Sequence, residues 1–141
     1  MKARISVITL GTRDLPRARR FYCEGLGWAA SSSSNEHIVF IDAGGVVLAL
    51  YSRDQLAEDA RLDAAGSGFG GVTLAHNVRT RQEVDLALRV AERAGARIIK
   101  PAQEVFWGGY SGYFADPDGH PWEVLYHPYL AFAEDGSLRT D

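Results

Sequence analysis

Glu123 is the side chain best placed to do chemistry, and it lies in the run GGYSGYFADPDGHPWEV at 108–124. Within that run, Asp116-Pro117-Asp118-Gly119 carries the aspartate, proline and glycine of a type I turn with a left-handed fourth residue, so a β-hairpin is expected. If that left-handed glycine forms a bulge, Asp116 pairs with His120 and counting outward sets Tyr113 opposite Glu123; a one-residue slip would set Gly112 there instead. Side-chain alternation sends Trp122, Val124 and Tyr126 to one face, and Pro121, Glu123, Leu125 and His127 to the other. A carboxylate in that setting belongs either to a solvated sheet face or to a pocket wall. Phe106, Trp107, Tyr110 and Tyr113 are each readable as ordinary packing, but together they favour the wall, because small-molecule sites combine apolar surface with a few polar groups.

The four histidines and the one cysteine offer less. His76 alternates with Thr73 and shares its face with Val72, Leu74 and Val78, so it is expected to point toward a helix layer as a core histidine. His120 follows the turn glycine and reads as a rim residue, while His37 opens a strand at an edge. His127 shares a face with Glu123 but stands roughly a dozen ångströms along the strand, too far to chelate one ion with it. Cys23 excludes an intrachain disulfide and reads as a small packing residue with no base to activate it.

The elements that position these residues repeat. RISVITL at 4–10 predicts a strand, and Asp14-Leu15-Pro16 predicts a helix start, with Leu15, Ala18, Phe21, Tyr22 and Leu26 forming one apolar stripe. Strand signals follow at 28–32 (weak), 37–42 and 46–51. After a polar, helix-permissive segment and the glycine-rich AAGSGFGG at 64–71, the order recurs. VTLAHNV at 72–78 predicts a strand, and Thr80-Arg81-Gln82-Glu83 a capping box. A helix striped by Val84, Ala87, Leu88, Ala91 and Ala94 ends at Gly95, and RIIK, YSGYF and PWEVLYH complete the set. The expected division is 1–64 for the first module with its linker helix, 65–128 for the second, and 129–141 for a tail, all within one compact α+β domain.

Length and composition narrow the partners. A chain of 141 residues with 46% hydrophobic content suits one folded unit, which two halves can build, and no run approaches a membrane span. Its net charge of -3 argues against nucleic acid, which needs a basic face. Arg13, Arg17 and Arg20 recur at helical spacing and read as a solvated face. MKARISVITL lacks the apolar core of a secretory signal, so a cytoplasmic protein without membrane or nucleic-acid partners is expected.

ITLGTRDLPRARRFYCEGLGW and GGYSGYFADPDGHPWEV together resemble the vicinal oxygen chelate superfamily, which includes glyoxalase I, bleomycin-resistance proteins and extradiol dioxygenases. The resemblance covers Ile5 to about Pro128. It implies two βαβββ modules whose curved mixed sheets enclose a U-shaped cleft, and in short members a homodimer. In the family's metal enzymes, His, Gln or Glu from the first and last strands of each half hold a metal. Carried over, those positions are Val7, Thr73, either Leu48 or Ala49, and Glu123. Only Glu123 has a ligand of the family's type, and one carboxylate cannot build such a cage.

The resulting expectation is a cofactor-free module that binds a small organic molecule. Glu123 stands as the candidate catalytic residue, and Trp107, Tyr110, Tyr113, Leu125, Thr73, Val7 and Leu48 as candidate substrate-binding residues. Two alternatives stay open: an enzyme needing no cofactor, with Glu123 as general acid or base, and a lyase or isomerase holding a divalent metal through substituted ligands. An extradiol dioxygenase is disfavoured, because its iron needs two histidines and a carboxylate. The tail contributes Tyr129, Leu130 and Phe132, which need a surface on a partner chain, over the cleft or on their own subunit.

Overall fold

In the first half, β1 (Val7–Thr12) runs into Asp14, whose carboxylate accepts the Arg17 amide at 2.9 Å and opens α1 (Leu15–Arg19). A wider π-helical turn, Arg20–Gly25, continues the helix and buries Phe21 and Tyr22 with Ala18. β2 (Ile38–Asp42) and β3 (Val47–Ser52) complete a three-stranded sheet of order β1-β3-β2, with β1 parallel and β2 antiparallel to β3. These features belong to a computed structural model, which describes residues 5–66, 68–70 and 72–139. The weak strand at 28–32 reduces to a single bridge, Ala30 to Ile41. The serine-rich run after it cannot alternate apolar and polar residues; instead the Ser34 hydroxyl accepts the Phe40 amide at 2.9 Å, doing locally what a strand partner would do. α2 (Arg53–Ala60) follows, capped by Ser52.

The second half repeats the strand–helix opening and has one strand more in its sheet. β4 (Leu74–Val78) precedes α3 (Arg81–Ala94), which opens on the expected capping box and closes on Gly95 at φ 110°. β5 (Arg97–Glu104), β6 (Tyr110–Ala115) and β7 (Pro121–Tyr126) give a sheet of order β4-β7-β6-β5, with β4 parallel to β7. α3 buries Val84, Leu88 and Ala91, and side chains of the size of valine and leucine contribute about 1.5–3 kcal/mol each when fully buried. It packs so closely on β6 that a Cβ added at Gly112 would meet Leu88 Cδ1 at 2.6 Å and the Lys100 carbonyl at 2.9 Å.

Two expectations need correction. Val72 and Thr73 precede β4 rather than belonging to it, and both are exposed. His76 lies within β4 but is exposed, because β4 is an edge strand with a neighbour on one side only. Its pKa is nevertheless lowered: nearby atoms strip away part of its hydration, and the charge of Glu83 opposes this only in part.

The chain divides into two compact units, Met1–Gly70 and Gly71–Asp141. The tail belongs to the second, where β8 (Ala131–Phe132) pairs with β9 (Leu138–Arg139), and the Arg79 guanidinium sits 4.5 Å from the centroid of the Phe132 ring. Phe132 thus packs on its own unit. No helix among the described residues is long and apolar enough to cross a membrane.

Candidate functional site

The site is built from the β6–β7 hairpin upward. Asp116, whose side chain is 2% exposed, accepts the amides of Asp118 (2.9 Å) and His120 (2.8 Å), and its other oxygen meets His120 Nδ1 at 2.8 Å. The Asp116 amide donates to the His120 carbonyl, and Gly119 takes the left-handed φ of 92° that the turn requires. His120 is therefore a partner of the turn. This closure fixes the register outward, pairing Phe114 with Trp122, Tyr113 with Glu123 and Ser111 with Leu125.

Alternation then separates two faces. Gly112, Phe114, Trp122 and Val124 look toward α3, and the rings of Phe114 and Trp122 lie 6.1 Å apart and nearly parallel. Tyr113, Glu123 and Leu125 occupy the opposite, open face, each half-buried. Tyr110 falls on the helix face, where its hydroxyl donates to Asp85 at 2.8 Å. Of the residues expected beside Glu123, Tyr113 and Leu125 are there and Tyr110 is not.

Trp107 reaches the open face by a different route. Gly109, one pair beyond Tyr110 and Tyr126, has no side chain, and the indole occupies that space: a Cβ at Gly109 would lie 2.0 Å from the Trp107 ring. The same indole stacks on His127 at 4.5 Å. Trp107 and His127 therefore close one end of the face that holds Glu123, while Phe106 is fully exposed to solvent.

Tyr113 ties the row together electrostatically. Its pKa is raised, first by desolvation and then by the charge of Glu123 and a hydrogen bond to that carboxylate, so the phenol keeps its proton. On its other side, Lys100 pairs with Tyr113 in the β5–β6 ladder and places Nζ 5.9 Å from the ring centroid. Sequence periodicity assigns no role to Lys100, because the register of β5 shifts on both sides of it. Pro101, which has no amide to donate, marks that irregularity.

In the first unit, the register Thr9–Ala49–Phe40 across β1, β3 and β2 matches Ala75–Glu123–Tyr113 across β4, β7 and β6. Ala49 is thus the counterpart of Glu123. Leu48, the other possibility, pairs with Ile8 and Ile41 on the opposite side of the sheet from Thr9, Ala49 and Phe40. Val7, 48% exposed, lies on the same face as Thr9 and Ala49. The positions at which the family's enzymes hold metal are therefore valine, threonine, alanine and one glutamate, a set that does not fit a divalent ion. Among the described residues, no group of three or more His, Cys, Asp or Glu side chains is placed to hold one.

With this geometry in hand, comparison with known proteins fixes the class. Residues 4–124 match the family model of the Glyoxalase/Bleomycin resistance protein/Dioxygenase superfamily, and the chain belongs to that superfamily. It is similar to a glyoxalase-related enzyme from Fulvimarina pelagi, with 40% identity, 96% of each chain covered and a TM-score of 0.88. A glyoxalase/bleomycin resistance protein/dioxygenase from Nocardioides shares 26% identity over 89% of this chain and 84% of that one, with a TM-score of 0.71. Lactoylglutathione lyase from Agrobacterium tumefaciens, 23% identical over 89% of this chain and 95% of its own, shares the fold with a TM-score of 0.67. A search of the curated proteins finds no match.

Proposed function

We propose that this chain binds a small organic molecule on the open face of its second sheet, without the metal used by the family's enzymes. The observation that carries the reading is the contrast at the four inherited positions. Glu123 is half-buried and paired with Tyr113 across neighbouring strands, whereas Val7, Thr73 and Ala49 offer no matching donor set. Leu125 and the Trp107–His127 stack supply apolar and aromatic surface beside the acid, the combination from which small-ligand sites are made.

A second reading, catalysis without a cofactor, is favoured by the Tyr113–Glu123 pair itself. A carboxylate and a phenol that retains its proton, side by side, form a general base and a general acid within reach of one substrate. The Fulvimarina relative is described as an enzyme, which supports this alternative. The partner proposed for either function is a second copy of the chain. β1 and β4 each leave one edge unpaired in their sheets, and Val7, Phe69 and Val72 beside them are exposed.

The test uses protein purified without chelators, with indole as a neutral planar probe. Metal analysis is expected to find far less than one divalent ion per chain, sedimentation to find a dimer, and amide shifts on indole titration to centre on Tyr113, Leu125 and Trp107. A stoichiometric ion, or indole shifts that avoid these residues, overturns the reading.

A further inference from the structure

The open face carries a cation as well as its acid, and the two lie in one line across the strands. Lys100, Tyr113 and Glu123 occupy paired positions on three neighbouring strands, β5, β6 and β7. Neighbouring strands lie about 4.8 Å apart, so the ammonium and the carboxylate anchor on backbones roughly 10 Å apart with the phenol between them. Among the described residues, no salt bridge involves Lys100 or Glu123, although both are half-buried. Tyr113 stands between them, paired with Glu123 in one ladder and with its ring centroid 5.9 Å from the Lys100 ammonium.

From this row we infer that the ligand is amphoteric: a small molecule with a planar centre, a cationic or strongly donating group directed to Glu123, and a carboxylate or similar anion directed to Lys100. The inference rests on the proposed function above, because it names the chemical class bound at that same site. Three physical points carry it. Each charge on the face is partly desolvated and without an ionic partner, so a ligand charge of opposite sign gains a charge-assisted hydrogen bond. A ligand with only one charge leaves the other protein charge shielded from water without compensation, which costs affinity. The phenol between them, protonated and flanked by Leu125, offers a ring edge and one donor to an uncharged centre. Lys100 is thus a specificity-determining residue, selecting ligands by the group at one end.

A matched set of probes tests this by NMR titration: 4-(aminomethyl)phenylacetate, its methyl ester, which is only cationic, and 4-methylphenylacetate, which is only anionic. The zwitterion is expected to bind at least tenfold more tightly than either single-charge probe. Lys100→Gln should bring the zwitterion and its ester within twofold of each other, and Lys100→Arg should restore the preference. Glu123→Gln should bring the zwitterion and 4-methylphenylacetate within twofold. Equal wild-type affinities, or a preference that survives Lys100→Gln, overturn the inference. If indole binds the face while the charged probes are not discriminated, only the ligand class is wrong. If neither indole nor any of the three binds, the binding function falls and the ligand class with it.

Discussion

The two units share the order and register of three strands, yet the sheet faces turned away from their helices differ in kind. In the second unit, the central row reads Lys100, Tyr113, Glu123, Ala75; in the first, the matching strands supply Phe40, Ala49 and Thr9. The helix-facing sides are alike, with Val39, Ile41, Leu48 and Leu50 in one unit answering Phe114, Trp122 and Val124 in the other. Burying a helix against a sheet constrains one face in both units. The other face is not constrained in that way, and the charged residues Lys100 and Glu123 lie on only one of the two sheets.

The sharpest way to break this comparison is to place an acid in both units. Ala49→Glu is expected to cost on the order of 3 kcal/mol, because Ala49 is 1% exposed and Thr9 and Phe40 beside it cannot neutralise a carboxylate. Urea denaturation reads the loss. A stable Ala49→Glu variant would show that the first unit's face tolerates the same residue and that the asymmetry is not structural.

A smaller effect is expected at Gly112, which sits where the first unit has Val39. Gly112→Ala should cost about 1–3 kcal/mol, since the new Cβ meets backbone on β5 as well as the flexible end of Leu88. The same denaturation experiment measures it. A neutral result would mean that β5 can move away from β6.

The smallest effect concerns ionisation. Tyr113 titrates above the ordinary tyrosine range, and Glu123→Gln should lower its pKa by removing the neighbouring charge, leaving the part due to desolvation. Absorbance at 295 nm against pH detects the change. The sign for stability follows: a phenol whose folded pKa is raised contributes fully below its unfolded pKa, and that contribution is lost as pH rises through the folded value. The variant should therefore be less sensitive to alkaline conditions than the parent. No change in the titration would mean that Glu123 and Tyr113 do not interact.

Much of this was legible in the residues, and the limits have physical causes. The hairpin, its register and the Tyr113–Glu123 pair follow from Asp116-Pro117-Asp118-Gly119, because a tight turn leaves few ways to pair the strands on either side. The capping box at Thr80 was equally local. Tyr110 followed from the same alternation, being three residues from Tyr113 and so on the other face; what no local pattern encodes is its partner there, Asp85, 25 residues away. Lys100 was hidden because irregular pairing in β5 breaks the simple alternation on which strand reading depends. Choosing between Leu48 and Ala49 required the register across β1, β3 and β2, a long-range property.

The closure of Asp116 on His120 has a consequence for how such a protein can change. The acid's position is specified by the corner ahead of it rather than by the strand that bears it, so losing or gaining one residue in the corner would exchange the two sides of β7. Glu123 would then enter the apolar interior and Val124 would come out in its place. Substitutions along the strand can vary the side chains that this face presents, but the length of the corner must stay fixed.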